Sequence, residues 1–244
     1  MQIPQTPIKP MLKTLTIILS AIFSITQFGC KSAAKPKETS QKEFEGVITY
    51  HEVEFINYPD GKSFLNDTVQ LFYSHGNYVG IHSEKSAKFH VVKDYYLESK
   101  PLRLFLYNTS DTLHQLNLNY PVQKLDGFKV KKINDKILSR DCENIEVNVS
   151  YPLKDSTTYT DFNFIISRGY LKIDKQHFKN WNLGFFNKIA DETGVFYLRL
   201  KAVHFDSTHK NILSAKIYDV ISVKEQPVDP KMFEIDTTMI EWAK

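Results

Sequence analysis

With 244 residues, 31 lysines and arginines against 28 acids, and two cysteines, the chain is close to charge balance and holds at most one disulfide. Those numbers set aside a polyanion binder working through a broad basic field and a small disulfide-stapled scaffold. The length suits one large domain or two small ones, and sparse proline and glycine leave no long linker to divide it.

The first ten residues contain Pro4, Pro7 and Pro10 and read as an extension ahead of Met11, the expected start. Lys13 then supplies a positive n-region, Leu15 to Ile25 an apolar h-region, and Gly29 a small residue in front of Cys30. The apolar run from Leu15 to Phe28 is 14 residues, short of the ~20 that span a hydrocarbon core. A signal over residues 1–29 is therefore expected, rather than a permanent span. Thr26-Gln27-Phe28-Gly29-Cys30 resembles a bacterial lipobox, Gly29 and Cys30 fitting its pattern. The resemblance implies a lipidated Cys30 and attachment to the membrane through that lipid. An ordinary cleaved signal with a secreted product, or an uncleaved anchor, are the alternatives. Lys31 stands where an inner-membrane retention aspartate would, so outer-membrane delivery is expected, with the domain facing the periplasm.

Removing residues 1–29 takes away Lys9 and Lys13 and no acids, leaving 29 cations against 28 acids. Residues 30–43 lack large apolar side chains and read as a flexible tether. From Phe44 the composition changes. Phe44 to Phe55 is rich in β-branched and aromatic residues and predicts a long strand, followed by turn chemistry at Pro59-Asp60-Gly61. Thr68 to Ser74 and Tyr78 to Ser83 flank His75-Gly76-Asn77 as a hairpin. Lys88 to Lys93, Tyr95 to Glu98, Leu102 to Tyr107 and Thr112 to Leu118 continue the series. Strand then turn every 8–12 residues predicts an antiparallel meander rather than βαβ units.

In the second half, Phe128 to Ile133 and Lys136 to Tyr151 predict a hairpin around Asn134-Asp135, followed by Thr158 to Ser167 and Tyr170 to Ile173. Residues Asp174 to Ala190 carry His177, Phe178, Trp181, Phe185, Phe186 and Ile189 at helical spacing, with Gly184 and the pair Asn180 and Asn182 breaking the helix into short pieces. A last hairpin joins Val195 to Phe205 with Ile212 to Val223 across a polar turn. Residues 44–244 thus read as one mostly-β domain with a short helical insertion. Cys142 falls inside an alternating strand and reads as a buried small hydrophobe.

Phe44-Glu45-Gly46-Val47-Ile48-Thr49-Tyr50, Lys136-Ile137-Leu138-Ser139-Arg140-Asp141-Cys142 and Val228-Asp229-Pro230-Lys231-Met232-Phe233-Glu234-Ile235 resemble marks of the GLPGLI-type group of Bacteroidetes lipoproteins. Those are similar in architecture to the LolA/LolB lipoprotein carriers. The resemblance implies an open antiparallel half barrel wrapped around helices and enclosing an apolar cavity. No catalytic residues come with it.

Few residues suggest chemistry. His204, Asp206 and His209 gather two imidazoles and a carboxylate, but in a hairpin turn and at no helical zinc spacing. The other histidines, 51, 75, 82, 90, 114 and 177, are scattered, so only folding could cluster them. A Gly-x-Ser-x-Gly elbow and glycine-rich phosphate loops are absent. No catalytic residue, cofactor or metal ion is expected. Lys124, Lys129, Lys131, Lys132 and Lys136 read as a solvated face, or else as a lipid-headgroup contact. The 13% aromatic content could line a cavity for an acyl chain, plugged by Trp181, Phe185 and Phe186, or could simply fill the core. Asp-Thr and Asp-Ser pairs place Thr68, Thr112, Ser156, Ser207 and Thr237 in sites resembling a Bacteroidetes O-glycosylation sequon, the plainer reading being turn starts beside strands.

The expected role is therefore noncatalytic: an envelope lipoprotein holding an apolar ligand. An interaction module with a filled core, docking an envelope protein partner, is the second reading. A hydrolase acting on envelope polymers is the third.

Overall fold

The structure is a computed structural model that describes residues 42–58, 61–83, 91–100, 102–116, 118 and 123–241. The expected signal segment, Cys30 and all of the expected tether but Lys42 and Glu43 lie outside these residues. Among the described residues, no helix is long and apolar enough to cross a membrane.

Among the described residues, twelve strands form one sheet: β1 (Gly46–Tyr58), β2 (Gly61–Ser74), β3 (Asn77–His82), β4 (Val91–Leu97), β5 (Leu102–Tyr107), β6 (Leu113–Leu116), β7 (Lys124–Ile137), β8 (Arg140–Pro152), β9 (Thr157–Ile166), β10 (Arg199–Phe205), β11 (Ile212–Glu225) and β12 (Ile240–Glu241). Their order is β12-β6-β5-β4-β3-β2-β1-β11-β10-β9-β8-β7. All pairings are antiparallel except the two-residue β12 beside β6. The expected mainly-β open antiparallel sheet is thus observed. β5 and β8 stand eight steps apart in this order, about 38 Å if the sheet were flat at ~4.8 Å per step. Residues of both nevertheless line a single cavity, so the sheet curls into a half barrel.

The helical insertion sits on the inside of that curl. It comprises a 3-10 turn at Lys175–Phe178, a second at Leu183–Phe185 and helix α1 (Phe186–Thr193). Gly184 and Phe185 take positive φ (62° and 56°) between them, so the interruption expected at Gly184 is present and leaves shorter pieces than one helix would. Phe178 is fully buried, stacks on Tyr96 of β4 at 5.4 Å and meets Phe186 edge-on at 5.3 Å. Tyr96 donates its hydroxyl to the His177 carbonyl at 2.6 Å. On the opposite face of β3–β6, a second cluster including Val79, Leu104 and Leu113 is covered by Met232, Phe233 and Ile235 of the C-terminal segment. Glu45 ties that segment back to the first strand, accepting from the Val228 N–H at 3.0 Å and the Ser74 hydroxyl at 3.1 Å.

Three local expectations are corrected. The β7–β8 turn falls at Leu138-Ser139, not Asn134-Asp135, and a register irregularity between Lys132 and Lys136 absorbs the extra residues. Residues 95–97 continue β4 instead of starting a new strand. Tyr170 to Ile173 is not a strand, with only Lys172 making an isolated bridge, to Val195. Cys142 is buried as expected, and its strand β8 lies beside edge strand β7. There Lys124, Lys129, Lys131, Lys132 and Lys136 are all exposed, a charged edge that resists pairing with other chains.

Leu138 and Ser139 both adopt positive φ, 49° and 63°, where Asn and Gly are favoured at a two-residue hairpin turn. The Leu138 side chain is exposed, so little packing is lost by changing it. The double variant Leu138→Asn, Ser139→Gly is expected to raise stability by ~0.5–2 kcal/mol, read as a higher urea midpoint at unchanged slope.

Candidate functional site

Strict alternation sends every second residue of β1 to β4 to the inner face. Register then aligns polar residues from separate strands at one end of it. On β1, Ile48, Tyr50 and Glu52 point inward; on β2, Asp67, Val69, Leu71 and Tyr73; on β3, Tyr78, Gly80 and His82; on β4, Asp94 and Tyr96. Glu52 pairs with Asp67, Val69 with His82, and Gly80 with Asp94. The result is a row of charges, buried at its centre and half-buried at its ends, running from Lys216 on β11 to Arg103 on β5.

The distances make it continuous. Lys216 Nζ lies 2.7 Å from Glu52 Oε1, and His82 Nδ1 lies 3.1 Å from Glu52 Oε2 and 3.3 Å from Asp67 Oδ2. His82 Nε2 is 3.4 Å from Asp94 Oδ1, and Arg103 Nη2 is 3.6 Å from Asp94 Oδ2. The Glu52 and Asp67 side chains are fully buried and His82 nearly so. Burial works against charge on Glu52, His82 and Asp94, but the neighbours outweigh it. Burial lowers the His82 basicity while Asp94 and Glu52 raise it further, leaving the imidazole at about 9. Against the same burial, His82 with Lys216 holds the Glu52 carboxyl below its ordinary value, and His82 with Arg103 does so for Asp94.

Beside the row, between sheet and insertion, lies a cavity of about 280 Å³. Nine strands contribute to it, and ten of its lining side chains are aromatic, among them Tyr50, Tyr78, Tyr218, Trp181 and Phe186. Asp94 and Arg103 are its charged lining residues. The Arg103 guanidinium carbon sits 4.9 Å from the centre of the Trp181 ring, a cation–π arrangement. Its Nε is buried and makes no hydrogen bond among the described residues. Tyr50 fixes the wall by donating its hydroxyl to the Tyr197 carbonyl at 2.9 Å.

Of the expected plug residues, Trp181 and Phe186 line the cavity, while Phe185 is half-buried and packs on the same core outside the lining. His204, Asp206 and His209 do not converge. His204 Nδ1 lies 2.9 Å from the Thr160 hydroxyl, and His209 stacks on Tyr159 at 4.6 Å. Asp206 accepts from the Thr208 N–H and hydroxyl. Asp236 does the same for Thr238, so two of the five Asp-Ser/Thr sites are turn starts. Ser156, Ser207 and Thr237 are exposed, and Thr68 and Thr112 half-buried. Sequence reading missed the row itself. Its available signal was an ionisable residue in phase with the apolar face of each strand.

Gly80 is a precondition for the row: a Cβ there would stand 2.1 Å from Asp94 Oδ1. Gly80→Ala is therefore expected to push Asp94 away from His82 and cost ~1–3 kcal/mol, measured as a lower denaturant midpoint.

No protein-family model matches the chain, and no curated protein matches it. Among solved structures it is similar to PNGF-II, at 8% identity and a TM-score of 0.35 over 80% of this chain and 31% of that one. It thus spans about a third of that chain's length. It is also similar to a proposed outer membrane lipoprotein-sorting protein domain from Vibrio parahaemolyticus, at 7% identity and a TM-score of 0.31 over 77% of this chain and 89% of that one.

Proposed function

We propose that this is a noncatalytic binding protein of the bacterial envelope, tethered through a lipid on Cys30, whose domain holds an apolar ligand inside the half barrel. The observation that carries the reading is the aromatic cavity of about 280 Å³, just below the ~300–1,000 Å³ of drug-sized small-molecule sites. A pure interaction module would have its core filled. An envelope hydrolase would need convergent acid and base groups open to substrate, whereas Asp94 and Arg103 face each other. The apolar walls favour an acyl chain or a similar hydrocarbon group, at ~0.8 kcal/mol per buried methylene. Arg103, with its Nε–H donor, would orient an oxygen on that ligand.

Titration of the purified protein with a fluorescent fatty-alcohol analogue, neutral at its polar end, is expected to show saturable 1:1 binding. Leu200, on the cavity wall and only partly buried, is the place to block it. Leu200→Trp, displacing about two methylenes of ligand at ~0.8 kcal/mol each, is expected to weaken binding about tenfold with the unfolding midpoint little changed. Equal binding by both proteins would remove the cavity from the reading. The anchor is tested separately: Cys30→Ser should move the protein from the membrane fraction to the soluble fraction, and continued membrane association would count against lipidation.

A further inference from the structure

We propose that Glu52, Asp67 and His82 form a binding site for one divalent transition-metal ion of the zinc class, which ties the first three strands together. The three residues come from β1, β2 and β3, and one ligand atom from each lies within 4.8 Å of the other two. His82 Nδ1 is 3.1 Å from Glu52 Oε2 and 3.3 Å from Asp67 Oδ2. Tetrahedral ligation at ~2.0–2.2 Å separates neighbouring ligand atoms by about 3.3–3.6 Å, so these side chains need only slight movement. A proton on Nδ1 can point along one N–O line; a metal ion there engages both carboxylates. The Glu52 oxygens, fully buried, make ion pairs and no aligned hydrogen bond among the described residues.

The far side of each ligand is already held as a metal site requires. Histidine ligands commonly give their other ring nitrogen to a carboxylate, and ligating carboxylates are themselves bonded. Here His82 Nε2 faces Asp94 Oδ1 at 3.4 Å, and Lys216 holds Glu52 Oε1 at 2.7 Å. Asp67 Oδ1 accepts from the Thr68 N–H at 2.6 Å, the Ser83 N–H at 3.1 Å and the Ser83 hydroxyl at 2.6 Å. Nδ1 faces Oε2 and Oδ2, so one atom from each residue points to a common centre. Charge points the same way. Glu54, 3.4 Å from Lys216, joins Glu52, Asp67 and Asp94 to make four carboxylates against Lys216 and Arg103. A dication with neutral His82 brings that sum to zero, whereas an imidazolium leaves one negative charge. An imidazole with two carboxylates suits zinc, where magnesium and calcium prefer oxygen alone.

The test is calorimetric titration of the chelator-treated full-length chain with zinc chloride, beside Asp67→Asn. The amide oxygen of the variant side chain can keep the Thr68 and Ser83 contacts while the ligand charge is lost. One saturable equivalent in the wild type, weakened at least tenfold in the variant, supports the site. Absence of saturable binding, or a smaller loss, overturns it and leaves an ion-pair row alone. Should Asp67→Asn fail to fold, the ring-nitrogen resonances of His82 in the wild type decide. A zinc-dependent shift at Nδ1 supports ligation, and unchanged resonances overturn it.

Discussion

A sheet that curls without closing has an inner face that its own strands cannot cover. In this chain the burial of that face falls to a short insertion between β9 and β10, and the rest of the molecule is arranged around it. Phe178 reaches β4 through Tyr96 and, through Phe186, the side chain of Phe164 on β9. Those strands are six places apart in the sheet. Truncating such a buried aromatic typically costs ~3–5 kcal/mol, so one side chain holds a large share of a stability of ~5–15 kcal/mol. The insertion is too short to fill the whole curl. The cavity is the space left between its aromatic face and the strands that curl around it from β5 to β8.

The charged row imposes a second constraint, on register. Buried ion pairs contribute little net stability compared with apolar packing, but breaking one by removing a partner typically costs ~3–5 kcal/mol. A slip of one residue between β1 and β2 would turn Glu52 or Asp67 to the other face, stranding Lys216 and His82. The row therefore penalises misregistered pairings more than it strengthens the correct one. Gly80 belongs to the same device, since Asp94 reaches His82 only because β3 presents no side chain between them.

What could be read in the sequence follows from how local the deciding physics is. Alternation and turn residues are local, so the meander, the interrupted helical insertion and the His75-Gly76 turn were legible. The β7–β8 turn was not, because neither Leu138 nor Ser139 is the Asn or Gly that favours positive φ at a two-residue turn, whereas Asn134-Asp135 carries ordinary turn chemistry. Residues close together in sequence, such as His204, Asp206 and His209, suggest chemistry that the fold does not assemble. A β-sheet instead joins residues that are far apart in the chain: Glu52, Asp67, His82 and Asp94 meet because hairpin lengths place them on one inner row. Their pattern was present, as an ionisable side chain continuing an apolar face. One strand shows it ambiguously, and only the register of several makes it a cluster.

Asp94 is where cavity and charged row meet. One carboxylate oxygen faces His82 and the other faces Arg103. In a low-dielectric interior neither contact is independent of the other, because a carboxylate that moves toward one cation leaves the other less compensated. A ligand oxygen accepting from Arg103 would share a guanidinium already opposed by Asp94. An anionic head group adds a negative charge beside that carboxylate, whereas a neutral carbonyl or hydroxyl uses the donor without disturbing the balance. The electrostatics of the wall thus favour a neutral oxygen at the polar end of an apolar ligand, even though the residue presented there is an arginine.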